Sequence, residues 1–278
     1  MNLIQLQNEI EKIWDAKQKN KKFDEKYALS LANDVIHLLD CGKICVVEKN
    51  KKNNKDLNNK KWVVNQWIKK GILLYFLNKS RVEKNETNIW FDKCENKFKN
   101  WTDKDFKREQ IRAVNGSFVR KGSYFAKGCV IMPSFVNIGA NVGQNTMIDS
   151  MTTIGSCAKI GKQCHISSNV CIGGVLEPLQ TKPVIIEDNC FIGSGTQITE
   201  GIIIGEGSVI GSGVTISSGI KIINRNSGEI QQGEIPPYSV VVSGTYKTNE
   251  CISIKCAVIV KTITEEIRKK TSINELLR

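Results

Sequence analysis

The stretch NTMIDSMTTIGSCAKIG, residues 145–161, sets Ile148, Ile154 and Ile160 at every sixth position. An α-helix repeats its face every 3.6 residues and a strand every second, so neither calls for a period of six. Stepping outward from these isoleucines extends the pattern. From Val130 the step reaches Val136, Val142, Ile148, Ile154, Ile160, Ile166 and Ile172. After the interruption GGVLEPLQTKPVI it resumes at Ile186 and runs through Ile192, Ile198, Ile204, Ile210, Ile216 and Ile222. All fifteen positions are aliphatic, and many are followed by glycine, as at Gly143, Gly155 and Gly161, where the backbone bends or approaches another strand closely. A repeat of this kind predicts a parallel β-helix. Each hexapeptide is a short strand and a corner, three hexapeptides close a triangular coil, and the sixth-residue aliphatics stack along the inside. The count predicts about five coils.

The flanks read differently. Leu3, Leu6, Ile10, Ile13 and Trp14 mark one helical stripe, and Leu31, Val35, Leu38 and Leu39 a second that stops at Gly42. ICVVE and WVV predict two strands around the polar segment Lys49–Lys61, and NQWIKKGILLYFLN a third helix whose Trp67, Ile68, Ile72, Leu73 and Phe76 belong to a core. After Pro236-Pro237, SVVVSG and CISIKCAVIVKTI predict strands, and TEEIRKKTSINELLR a terminal helix or tail folding back on the prism. The expected organisation is an α/β cap over 1–112, the β-helix over 113–235 and a small β/α segment over 236–278.

The chain of 278 residues carries a formal charge of +12. The excess is concentrated in the cap, with 25 Lys/Arg against 16 Asp/Glu over 1–112, while 113–240 holds 8 of each. Dispersed in Lys/Asn-rich stretches such as KQKNKK, it reads as solvated surface rather than a nucleic-acid site. The ten cysteines contain no C-x-x-C pair, which argues against a zinc knuckle or a redox motif. No leader-like segment and no run of about 20 apolar residues stands out, so a cytoplasmic protein with reduced thiols and no membrane partner is expected.

Three kinds of prism are open at this point. A three-histidine zinc site needs more imidazoles than the two present, His37 and His165, so no metal is expected. A sugar or amino-sugar acyltransferase would use His165, in GKQCHISSN, as general base; the alternative is a polar corner residue. A scaffold without catalysis is the third. Cys157, Cys164 and Cys171 read as packing. Backbone N–H groups at Gly173-Gly174 are candidates to meet an oxyanion.

Segments outside the hexapeptide pattern favour one family. MPSFVNIGA, GGVLEPLQTKPVIIEDNCFIG, YSVVVSGT, CAVIVK and SINELLR, with NQWIKKGILLYF and FDK in the cap, closely resemble the tetrahydrodipicolinate N-succinyltransferases. The resemblance implies a left-handed coil, a homotrimer with sites between subunits, and no tightly bound cofactor. It also implies succinyl transfer from succinyl-CoA, the co-substrate, to the amine of ring-opened tetrahydrodipicolinate. The product, N-succinyl-2-amino-6-oxopimelate, feeds diaminopimelate and lysine synthesis. Arg112, in IRAVNGS, matches the family's substrate-binding arginine, and Asp149 its aspartate beside the reacting amine. At the family's second carboxylate this chain has Gln197, with Gly195 in place of an arginine; Glu200 is a nearby substitute. By hexad counting Asp149 and Gln197 lie on different faces, about 10 Å apart along the axis. The VLEPLQTKP loop is expected to project from one corner towards a neighbouring subunit, as in relatives.

Overall fold

The computed structural model describes residues 1–50, 61–84, 89–199 and 201–270. Their centre is a left-handed parallel β-helix of two-residue strands stacked into three faces. Strands eighteen residues apart pair in parallel, for instance Met147 with His165, Thr153 with Cys171 and Asn141 with Lys159. On each strand the second residue turns inward. Ile131, Ile148, Ile166, Ile192 and Ile210 stack behind the first face, and each is fully buried. Losing one such side chain typically costs about 2–5 kcal/mol, because its neighbours collapse only in part.

The stack departs from the six-residue count at both ends. Ile131 occupies the inward position expected of Val130, which is only half-buried on the outer surface. The corner between Ile131 and Val136 is one residue short, so the phase slips there. With the slip allowed for, the repeat reaches back to Phe125, Val119 and Ala113, and the prism has six rungs, the first beginning at Arg112. At the far end Ile222 is buried but leaves the coil, pairing with Ala257 and Gln231; Ile235 takes the sixth place on the third face.

Among the described residues, the cap core is built on α1 (Leu3–Gln18), α2 (Glu25–Asp40) and α3 (Gln66–Tyr75). Asn2 and Gln5 close a reciprocal capping box at the start of α1, and the Asp24 carboxylate accepts from two N–H groups at the start of α2. The stripes are buried as expected, except that Leu3 is exposed and Leu38 half-buried. The hairpin pairs Val47 with Val64; residues 51–60 of its connection, and the SINELLR end, lie outside the described residues. A second hairpin, Arg81–Lys84 with Ile89–Asp92, and α4 (Asp103–Glu109) were not anticipated. The signal for α4 was present in T-x-x-D: the Asp105 carboxylate accepts from the Thr102 N–H at 2.8 Å.

The cap core continues onto the prism, where Ile185 of the third face and Ile138 and Cys157 of the adjoining corner are buried against it. It also takes the loop at 173–184. Leu176 and Leu179 pack on the cap, and the fully buried Lys69 of α3 donates to the carbonyls of Pro178, Leu179 and Thr181 at 3.0–3.4 Å. These contacts fasten the loop to the cap of its own chain. Burial lowers the Lys69 pKa.

Strand Ser239–Lys247 extends the first face, Val240 pairing in parallel with Val209, and folds back antiparallel onto Ser253–Thr262. The helix α5 (Glu265–Lys270) follows. Among the described residues no helix is long and apolar enough to cross a membrane.

Candidate active site

With the third face covered, the outer surfaces of the first and second faces and their shared corner remain. Asp149 stands on that corner. Its N–H donates to Ile166 O at 2.9 Å, and its Oδ1 accepts from the Ser150 N–H at 2.7 Å, so one carboxylate oxygen is fixed by the turn. The other, Oδ2, lies 3.7 Å from Nε2 of His165, one rung on. Nε2 is buried and makes no hydrogen bond among the described residues, and the ring meets Phe191 edge-on at 5.4 Å between centroids. The gap exceeds a hydrogen bond by a few tenths of an ångström, a looseness common before substrate draws a site together. Asp149 and His165, read from the sequence as carriers of rival chemistries, face each other. The signal was the eighteen-residue step, since 147 plus 18 is 165.

Arg112 is exposed and outward on the same face, two rungs before Asp149, about 10 Å at ~4.8 Å per rung. Gln197 lies on the second face, exposed, between Cys171 and Thr215 and two rungs beyond Thr153. The structure therefore brings His165 to Asp149 and leaves Gln197 apart from them within one chain. Glu200 lies outside the described residues. Two further readings change. Cys157 and Cys164 are buried, but Cys171 is exposed, so packing does not account for it in the single chain. The Gly173 N–H donates to Ile198 O at 2.7 Å and is not free for an oxyanion; Gly174 is exposed. Gly174 owes its identity to contact, because a Cβ there would meet Ser156 N at 2.2 Å.

Beyond Asp149 the corner carries only small residues. Successive rungs place Ser167, Gly193 and Gly211 in line with it, joined by N–H donations to Ile192, Ile210 and Val241 carbonyls. Ser168 and Ser194 flank this track, their hydroxyls 3.3 Å apart. It ends three rungs on, after about 14 Å, at a cleft of about 430 Å³ lined by Gly213, Thr215, Ser243, Gly244, Lys255 and Cys256. These residues went unread in the sequence, where serine and glycine at a turn carry no distinctive signal. A larger cleft of about 480 Å³ lies between the cap hairpin and the third face, lined by Trp62, Lys159, Glu187, Asp188 and Glu206 among others. Its carboxylates are engaged: Glu187 meets Lys61 at 2.5 Å, Trp62 Nε1 at 3.2 Å and the Glu206 N–H at 3.2 Å.

A hexapeptide prism with a bare axial track leading to a carboxylate on its corner has the build of an acyltransferase of the hexapeptide-repeat class. Comparison with known proteins narrows the class. Residues 5–77 match the family model described as tetrahydrodipicolinate N-succinyltransferase N-terminal, and 183–218 that described as hexapeptide repeat of succinyl-transferase. Proteins named 2,3,4,5-tetrahydropyridine-2,6-dicarboxylate N-succinyltransferase are similar throughout. That of Wolbachia sp. subsp. Brugia malayi is 49% identical over 279 residues, covering 100% of both chains. That of Wolbachia pipientis wMel is 50% identical, again over 100% of both, and that of Dechloromonas aromatica 46% over 98% of both. The chain belongs to the 2,3,4,5-tetrahydropyridine-2,6-dicarboxylate N-succinyltransferase family.

Proposed function

We propose that the protein transfers the succinyl group of succinyl-CoA to the amino group of ring-opened tetrahydrodipicolinate. The observation that carries this reading is identity at about half of all positions, end to end, with relatives bearing that name. The corner supports it chemically. The acceptor arrives as an ammonium dicarboxylate, and the Asp149 carboxylate orients the nitrogen and accepts its proton. The free amine then attacks the thioester carbonyl. The new C–N bond forms as the C–S bond breaks, the CoA thiolate leaves, and the second amine proton passes out by Asp149 or water. His165 faces the free carboxylate oxygen and is placed to hydrogen-bond it once the substrate draws the site together. Arg112 supplies a fixed cation for one acceptor carboxylate. The bare track from Asp149 to the Lys255 cleft suits a slender thioester arm with its anionic end at the lysine.

The same reading makes the protein a homotrimer. Two faces of the prism are uncovered, and Gln197 approaches an Asp149 only across a boundary between copies. Light scattering at micromolar concentration checks this, and a stable monomer contradicts it. The function itself is tested by thiol release from succinyl-CoA with and without tetrahydrodipicolinate. Release that depends on the acceptor supports the proposal. Release only with sugar or amino-sugar acceptors, abolished in His165→Ala and kept in Asp149→Asn, replaces it.

A further inference from the structure

Where the first face turns into the second, one turn position adopts left-handed backbone on rung after rung. The N–H ladder aligns Met151, Asn169, Gly195 and Gly213, donating to Pro133, Ser150, Ser168 and Ser194 carbonyls in turn. All four have positive φ, 58° at Met151 and Asn169, 72° at Gly195 and 69° at Gly213. Glycine and asparagine take this conformation readily, whereas a methionine pays for its Cβ. Met151 is also 69% exposed, among the most exposed large apolar side chains described. Within the chain, then, neither its backbone nor its side chain gains anything from being methionine. Such strain persists where function holds it, and Met151 stands two residues after Asp149 on the turn whose Ser150 N–H fixes that carboxylate.

We propose that Met151 is a substrate-contacting specificity residue: its thioether chain is the apolar wall of the acceptor pocket. It lies along the methylene chain of the open dicarboxylate and keeps water from the Asp149–amine pair. This rests on the function proposed above. Met151 is exposed on the turn that carries Asp149, and its unbranched flexible chain can adapt to an extended acceptor. The neighbouring rungs, with asparagine or glycine at this place, have no carboxylate beside them.

Met151→Gly and Met151→Asn separate the wall from the backbone, because both relieve the strained turn and remove the apolar chain. Thermal melting, light scattering and thiol-release kinetics are measured on both and on Met151→Leu. Both are expected to melt no lower than the wild type, to keep its assembly state and to raise the acceptor KM at least about tenfold, the scale of one buried apolar side chain. The KM for succinyl-CoA stays within about twofold, and Met151→Leu regains most of the lost acceptor affinity. Unchanged acceptor KM in both variants overturns the proposal, as does an equal rise in both KM values. Dissociation of the assembly also overturns it, by showing Met151 to be a contact between copies. A wild type that releases no thiol with this acceptor overturns the functional reading, and this inference with it.

Discussion

The third face of the prism and the corner between the first and second grow from the same hexapeptide, yet they differ in almost every outward property. Along the third face the cap buries Ile185, and on the adjoining corner it buries Ile138 and Cys157 and holds a loop by the enclosed Lys69. Along the corner between the first and second faces no cap intervenes: Asp149 is half-buried beside His165, and Met151, Asn169, Ser194 and Gly195 are exposed. The inward aliphatic makes the coil, and the outward residue decides what the coil is for. A regular scaffold can thus carry a dry docking face and a wet reacting edge side by side, each set by few side chains.

If the corner is where chemistry occurs, Asp149→Asn should give the largest effect. A general base typically contributes 10²–10⁴-fold, so kcat for succinyl transfer is expected to fall at least about 100-fold with the melting temperature nearly unchanged. A loss below about threefold breaks the comparison.

The covered face should respond in stability instead. Lys69→Met leaves three carbonyls without their donor, and each buried orphan costs roughly 1–3 kcal/mol. Removing the buried charge offsets part of that, leaving an expected loss of about 2 kcal/mol in urea unfolding and a kcat within about twofold. Because burial lowers the Lys69 pKa in the folded state, the unfolded chain binds more protons between that lowered value and the ordinary lysine value of 10.5. Wild-type stability relative to Lys69→Met therefore rises with pH through that window, and a difference that shrinks there contradicts the burial argument.

Smaller effects separate the two uncovered faces. Arg112→Ala is expected to raise the acceptor KM about tenfold, the lower end for a lost charged contact because the guanidinium is exposed, with the KM for succinyl-CoA little changed. Gln197→Glu is expected to raise kcat at least about tenfold, because glutamine keeps the shape of glutamate but cannot accept a proton. A wild type already as fast as the variant would leave proton removal to Asp149 or water.

The smallest effect is a count. A thiol reagent at about pH 8 should find Cys41, Cys171 and Cys251 quickly, since these three are exposed. Burial pushes Cys94 and Cys157 up to about 12 and Cys129 up to about 11, so those stay protonated and silent until the chain unfolds. Loss of the Cys171 reaction on assembly would place it between copies.

The inward column was legible because a polar residue there would be buried without a partner, so six-residue spacing leaves a clean trace. The phase slip at Val130 was not, since both Val130 and Ile131 are aliphatic and only the five-residue corner tells them apart. Asp149 was legible through its family resemblance, and its partner His165 through the rung spacing once the coil is drawn. The course of the 173–184 loop was hidden, because it depends on a lysine more than a hundred residues earlier being carried onto it by the docked cap. Met151 was hidden for the opposite reason: an exposed methionine has no sequence signature until its backbone is seen.

Hydrogen exchange of the assembled protein, with and without CoA plus a non-reactive dicarboxylate analogue, tests the division between reacting edge and docking face most directly. Protection is expected at residues 147–151, 165–169, 193–195 and 211–213, with no change at 45–49 and 186–188 beside the cap cleft. Protection confined to the cap cleft, with the corner unaffected, would contradict the account.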